Sequence, residues 1–191
     1  MIQPVNRFYQ GAWPAGEYRF LQIAWVVDDL FEAARKWVDV FGVGPFHVMP
    51  RRKQNVRYRG ELVALDMQLA VTQSGPVQLE LIQQFDGAAS VYRDIYGEGE
   101  GGLHHMCTVT ERYDDTLEHY HSRGYGVISE TTGAMRVAYV DTFKDFGFVT
   151  ELVEKSDEFL GSVARVAETC AKWDGRDPIR ILTRDGYRAP E

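Results

Sequence analysis

The chain has 191 residues, enough for one domain or two small halves sharing a core, and its 45% hydrophobic and 26% charged residues suit a globular fold. Twenty-eight acidic residues against 21 basic ones give a net charge of -7, which lacks the electrostatic footprint of a general nucleic-acid binder. No apolar run reaches membrane-spanning length, and the opening MIQPVNRFYQGAW has no apolar signal core, so a cytoplasmic protein is expected. Two cysteines, Cys107 and Cys170, make neither a disulfide framework nor a zinc pattern. Cys107 fits either a nucleophile or, more commonly in an apolar run, a small buried filler.

Residues 1–18 read as an irregular arm. A first module is expected over 19–85, opening with the strand FLQIAWVV (20–27). Leu30, Ala34, Trp37, Val38 and Phe41 then fall on one face at helical spacing, with Asp28 or Asp29 able to cap the start and Gly42 to stop it. After the GVGPF turn come three expected strands: FHVMP, a stretch within RYRGELVALDMQLAV, and VQLELIQ. Residues 86–102 read as a linker, a short helix running into glycines. The pattern restarts over 103–155: strand LHHMCTV, a helix carrying Leu117, Tyr120 and His121, then strands in GVISE, MRVAYVDT and FGFVTELVE. The remainder, 156–191, reads as an amphipathic helix with Phe159, Val163, Val166, Ala167 and Cys170 on one stripe, followed by an irregular tail.

The chain thus reads β-α-β-β-β twice, an α+β fold with an appended C-terminal helix. The two starts overlay, Gln22-Ile23-Ala24-Trp25-Val26 on His105-Met106-Cys107-Thr108-Val109, and so do the ends, QLELIQ on VTELVE. Side chains alternate along a strand, so at most one of His104 and His105 is expected to face a given cavity. The overlay selects His105, opposite Gln22, and sets Glu80 opposite Glu151. Each residue singly reads as a solvated or hydrogen-bonded side chain. Together they place an amide, an imidazole and two carboxylates mid-strand on one face, where burying both carboxylates is costly. A divalent cation resolves the conflict: two carboxylates balance its charge, and the imidazole and amide oxygen complete four ligands.

GLHHM, TELVE and LQIAWVVDDLFEA resemble the vicinal oxygen chelate superfamily over about residues 20–154, closest in look to its glyoxalase I and methylmalonyl-CoA epimerase branch. The resemblance implies that each module curls and that two modules form a mixed-sheet metal cup. It implies ligands on the first and last strands of each module: Gln22, Glu80, His105 and Glu151, holding one zinc, nickel, cobalt, manganese or magnesium ion. Gln22 stands where a histidine is common, and the Gln/Glu/His/Glu set argues against the two-histidine, one-carboxylate iron of extradiol dioxygenases. The epimerase's additional glutamate has no clear counterpart; Glu61 is the nearest in sequence. The implied chemistry is isomerisation, epimerisation or elimination through a metal-stabilised enolate of a small carbonyl or thioester substrate, with Glu151 the first candidate base and Glu80 the second. The alternative is a non-catalytic, drug-sequestering binder like the bleomycin-resistance members. Phe46, Tyr58, Tyr139, Phe143, Phe146 and Phe148 are candidate cup walls, pointing to a bulky or aromatic substrate. Arg57, Arg59 and Arg136 are candidate anion holders, while His47, His119 and His121 have no assigned role. A homodimer is expected, with the modules pairing either within a chain or across it.

Overall fold

Eight strands pair into a closed ring within one chain. The computed structural model describes residues 18–131, 133 and 135–190; the expected N-terminal arm falls outside them apart from Tyr18. The elements are β1 (Tyr18–Val26), α1 (Leu30–Phe41), β2 (Phe46–Val48), β3 (Arg52–Tyr58), β4 (Glu61–Ser74), β5 (Val77–Gln84), β6 (Gly102–Thr110), α2 (Tyr113–His121), β7 (Val127–Thr131), β8 (Val137–Val140), α3 (Phe143–Phe146), β9 (Val149–Glu154), α4 (Asp157–Ala171), β10 (Ile179–Thr183) and β11 (Gly186–Arg188). The ring runs β5-β1-β6-β9-β8-β7-β3-β4, and β4 pairs back onto β5. Within each half the first and last strands pair in parallel, β1 with β5 and β6 with β9. The halves meet along two antiparallel seams, β1 with β6 and β3 with β7. The expected cup of two curled modules is therefore built from a single chain.

The register bears on the repeat directly. Glu80 lies beside Ala24, two residues after Gln22, and Glu151 lies beside Cys107, two residues after His105. The overlay of the two modules is thus reproduced in the pairing of their strands.

Helix α1 starts where Asp29 accepts a hydrogen bond from the Glu32 amide at 2.8 Å. It ends at Gly42, whose left-handed φ of 65° favours glycine. Leu30 and Ala34 pack with Phe46, Val48, Ala70, Leu81 and Ile179 on the outside of the ring. A second apolar cluster fills the ring interior and includes Val56, Leu65, Ile82, Val137, Val153 and Val163.

Three expectations change. The stretch containing RYRGELVALDMQLAV holds parts of two strands, β3 and β4, joined by a turn at Arg59-Gly60, so four strands follow α1. Residues 91–95 form successive turns rather than a helix, with Ser90 Oγ accepting from the Arg93 amide. The tail is not irregular: β10 and β11 form a hairpin, and β10 extends the sheet by lying parallel to β2. That pairing buries Ile179 against the α1 cluster.

Candidate functional site

The pairing register lays two rows of side chains across the inner wall. One runs Gln78, Gln22, Cys107, Glu151, Tyr139 along β5, β1, β6, β9 and β8; the next runs Glu80, Ala24, His105, Val149. The four predicted residues therefore occupy four adjacent strands. Gln22, Glu80 and Glu151 line a cavity of about 230 Å³, and His105 lies fully buried beneath it. Glu80 and His105 sit two strands apart, yet their side chains meet because the residue between them is only Ala24.

The centre is the His105 ring. Its Nε2 lies 3.4 Å from Glu80 Oε2 and 3.5 Å from Glu151 Oε2. Neither contact is a well-formed hydrogen bond, and among the described residues this buried nitrogen has no aligned partner. Both carboxylates are close enough to stabilise charge on the ring. Burial alone pushes His105 down, but Glu151 and then Glu80 overcome it, and the ring is pushed up to about 9. Burial raises Glu151 as well, yet the charge of the nearby His105 ring, with hydrogen bonds from Tyr139 and Cys107, holds it below its ordinary value. Glu80 goes the other way. Burial is the main cause of its rise, and the Glu151 charge adds to it against the pull of the nearby His105 ring. These groups therefore push one another toward a charged imidazole beside an ionised Glu151, with Glu80 raised.

An imidazole, two carboxylates and an amide are donor types that divalent cations take. In a tetrahedral site with bonds of about 2.0–2.1 Å, neighbouring donors lie roughly 3.3–3.4 Å apart, close to the two separations found around His105 Nε2. As the side chains stand, no group of three or more His, Cys, Asp or Glu among the described residues is gathered closely enough to hold a metal ion. The orphaned nitrogen and its two flanking carboxylates match the site in kind and along two edges. Gln22 Nε2 donates to Gln78 Oε1 at 2.9 Å, an engagement that leaves the Gln22 carbonyl oxygen out of that bond.

One premise of the sequence reading fails. His104 and His105 both point inward, because β6 carries a bulge there: Ala24 pairs with His105 but Trp25 with Leu103, so His104 is an extra residue. Both rings are fully buried, and their Nδ1 atoms are 2.9 Å apart. The other nitrogen of His104 lies 3.1 Å from the Val91 carbonyl. Burial and the neighbouring His105 push the His104 ring down to about 3, so it is neutral. The two glycines before this stretch permit the close approach. A Cβ at Gly101 would lie 2.4 Å from the Val26 carbonyl oxygen, and one at Gly102 would lie 2.5 Å from the Tyr96 hydroxyl.

The structure redistributes the remaining candidates. Of the expected aromatic walls only Tyr139 lines the cavity, and its hydroxyl donates to Glu151 Oε1 at 2.9 Å. Phe46 is buried in the α1 cluster, Tyr58 donates to Asp94 at the surface, Phe148 packs on Phe20, and Phe143 and Phe146 are exposed. Arg57, Arg59 and Arg136 face Glu130, Asp94 and Asp114 rather than the cavity. Among the described residues Arg52 is the cation at the cavity wall, and the exposed Glu61 does not reach it. Residues outside the expected set also line it: Gln78, Val91 and Tyr92, with Phe159, Ser162, Val163 and Val166 of α4. Alternation with Glu80 carried the signal for Gln78; Tyr92 and His104 depend on a turn and a bulge that left none.

Residues 21–139 match the Glyoxalase/Bleomycin resistance protein/Dioxygenase superfamily, and the chain belongs to it. The superfamily includes enzymes such as methylmalonyl-CoA epimerase, and its members typically bind a divalent metal. The match spans Gln22, Glu80 and His105 and stops before Glu151 and α4. No curated protein matches the chain. Among solved structures, it is similar to a hypothetical protein from Bacillus halodurans C-125, with 16% identity and a TM-score of 0.51 over 74% of this chain and 96% of that one. It is similar to a methylmalonyl-CoA epimerase in complex with methylmalonyl-CoA and NH4+, with 21% identity and a TM-score of 0.50 over 73% and 95%. A Streptomyces coelicolor methylmalonyl-CoA epimerase variant in complex with 2-nitronate-propionyl-CoA gives 21% identity and a TM-score of 0.51 over 73% and 95%. These likenesses are of fold. Among the described residues no helix is long and apolar enough to cross a membrane.

Proposed function

We propose that the chain is a metal-dependent isomerase, epimerase or lyase acting on a compact carbonyl or thioester substrate with an acidic α-hydrogen. The observation that carries this reading is His105 Nε2, buried between two carboxylates at the base of the cavity without an aligned partner among the described residues. Gln22, Glu80, His105 and Glu151 would hold the metal. When bound, a divalent ion supplies Lewis-acid stabilisation of the negative charge that develops on a substrate oxygen.

The protein's own groups divide the remaining work. Glu151 is tied to the Tyr139 hydroxyl and held below its ordinary value, which suits a fixed anionic ligand. Glu80 is raised and lines the cavity, which suits a group that takes a proton from carbon and returns it. The contacts therefore favour Glu80 as base ahead of Glu151. Return to the opposite face gives epimerisation, return to another atom gives isomerisation, and loss of a leaving group gives elimination.

The cavity supports a compact, largely apolar substrate body. About 230 Å³ lies below the usual range of roughly 300–1,000 Å³ for ligand pockets. Val56, Leu65, Met67, Ile82 and Val153 form much of its wall, and Arg52 can meet a substrate anion. A carrier as long as coenzyme A would have to remain outside the ring. Acyl-CoA thioesters still belong in a substrate panel, since the fold relatives described above hold such esters. The ring closes in one chain, so the expected homodimer is not required to complete the site. Free Cys107 and Cys170 are compatible with the expected cytoplasmic setting.

The test is exchange of the substrate α-hydrogen in deuterium oxide, across 2-oxo acids, 2-hydroxy carbonyl compounds and acyl-CoA esters, with zinc, cobalt, nickel, manganese or magnesium added. Metal-dependent exchange with at least one class is expected. Tight ligand binding without exchange by any class would replace this reading with the sequestering one.

A further inference from the structure

We propose that His104 is a positioning residue: through a hydrogen-bonded chain that begins at the Val91 carbonyl, it fixes which nitrogen of His105 is free to face the carboxylates. The inference rests on the metal-centre reading above and explains why two adjacent histidines are buried together.

The proton assignment follows from what each atom can do. The Val91 carbonyl oxygen only accepts, so His104 Nε2, 3.1 Å away, carries the hydrogen. A neutral imidazole has one N–H, so His104 Nδ1 presents a lone pair. That lone pair lies 2.9 Å from His105 Nδ1, and one hydrogen must sit between two nitrogens at this distance. It therefore belongs to His105. With Nδ1 protonated, a neutral His105 presents a bare Nε2 to Glu80 and Glu151, the form in which it can ligate a cation. Without this acceptor, a neutral His105 would be drawn to the opposite tautomer, with Nε2–H aimed at the carboxylates.

The anchor is itself held. Val91 and Tyr92 lie in the turns between the two modules, and Ser90 Oγ donates to Gln84 Oε1 at 2.6 Å to fix the segment to β5. The Tyr92 ring lies 5.0 Å from the His104 ring, and its hydroxyl is 3.1 Å from that of Tyr139, which bonds Glu151. The turns between the modules thus reach the site through both the imidazole and the carboxylate.

The experiment uses the full chain labelled with nitrogen-15 in its histidines and long-range proton–nitrogen correlation spectra, first without metal and then with zinc. The expected result is His104 as the Nε2–H tautomer in both states, and zinc-loaded His105 protonated at Nδ1 with metal at Nε2. His104→Phe should lower zinc affinity about 10- to 100-fold. His104→Gln, whose oxygen can accept from His105 and whose amide can donate to Val91, should recover most of that loss. A His104 ring protonated at Nδ1 would overturn the proposal. So would a folded His104→Phe, checked by its melting temperature, that binds zinc as tightly as the parent. If the parent itself binds no zinc, the metal-centre reading falls, and the metal-free His104 spectrum still decides the hydrogen-bonded chain.

Discussion

Glu80 and His105 meet over Ala24: their side chains come within 3.4 Å although two strand spacings separate their backbones. Ala24 is fully buried, and its single methyl group is what leaves room for the approach. Cys107, the repeat equivalent of Ala24, holds the matching place beside Glu151. Small residues at the centre of β1 and β6 thus let longer polar side chains from the flanking strands converge.

Ala24→Val should show this. Two added methyl groups in a packed interior cost about 1–3 kcal/mol, and here they also push Glu80 from His105. Urea denaturation should report that loss, and zinc affinity should fall even where the variant is fully folded. Parent-like zinc binding by the folded variant would mean that the gap over Ala24 is not needed.

Tyr139→Phe removes the hydroxyl that holds Glu151 and leaves the buried Tyr92 hydroxyl without its partner. The expected cost is about 1–3 kcal/mol in denaturant unfolding. Tyr92→Phe should cost less, because Glu151 keeps its Tyr139 donor. Equal losses would show that the bond to the carboxylate carries no special weight.

The modular rhythm of the chain was legible because strand and helix periods repeat and the starts and ends of the two halves overlay, Gln22 on His105 and Glu80 on Glu151. Gln22, Glu80 and Glu151 followed from that rhythm. His104 did not, since a bulge adds a residue to one strand and so cancels the alternation on which the reading depended. The hairpin of β10 and β11 was equally silent: residues 179–183 carry Arg180 and Thr183 among apolar neighbours, and their strand is set by pairing with β2, far away in sequence. Tyr92 acts from a turn whose position only the folded ring determines.

His47 supplies a pH prediction away from the site. It is buried in β2 with no partner for its Nδ1 among the described residues, and burial, aided by the Arg180 charge, pushes its ring below the ordinary value. The unfolded chain therefore takes up a proton near pH 6.5 while the folded chain resists it. Stability contributed by the neutral ring is present above that pH and is lost as pH falls toward the lowered folded value. Comparing urea midpoints at pH 7.5 and 5.5, His47→Gln should lose less stability on acidification than the parent. An identical loss would exclude His47 as a source of the slope.

Glu80→Gln and Glu151→Gln should fail in different ways. With an exchanging substrate and saturating zinc, Glu80→Gln should lower α-hydrogen exchange by about 100- to 10,000-fold, the usual contribution of a positioned base. Glu151→Gln should chiefly weaken zinc binding, with exchange largely restored at high zinc. The reverse pattern would move the base to Glu151.

The most direct test of the metal centre is a calorimetric titration of zinc into chelator-treated protein, run in parallel on the parent and His105→Ala. The account predicts one zinc per chain in the parent and no binding at this site in the variant, with the variant still folded by circular dichroism. Equal zinc binding by both proteins, or none by the folded parent, would contradict it.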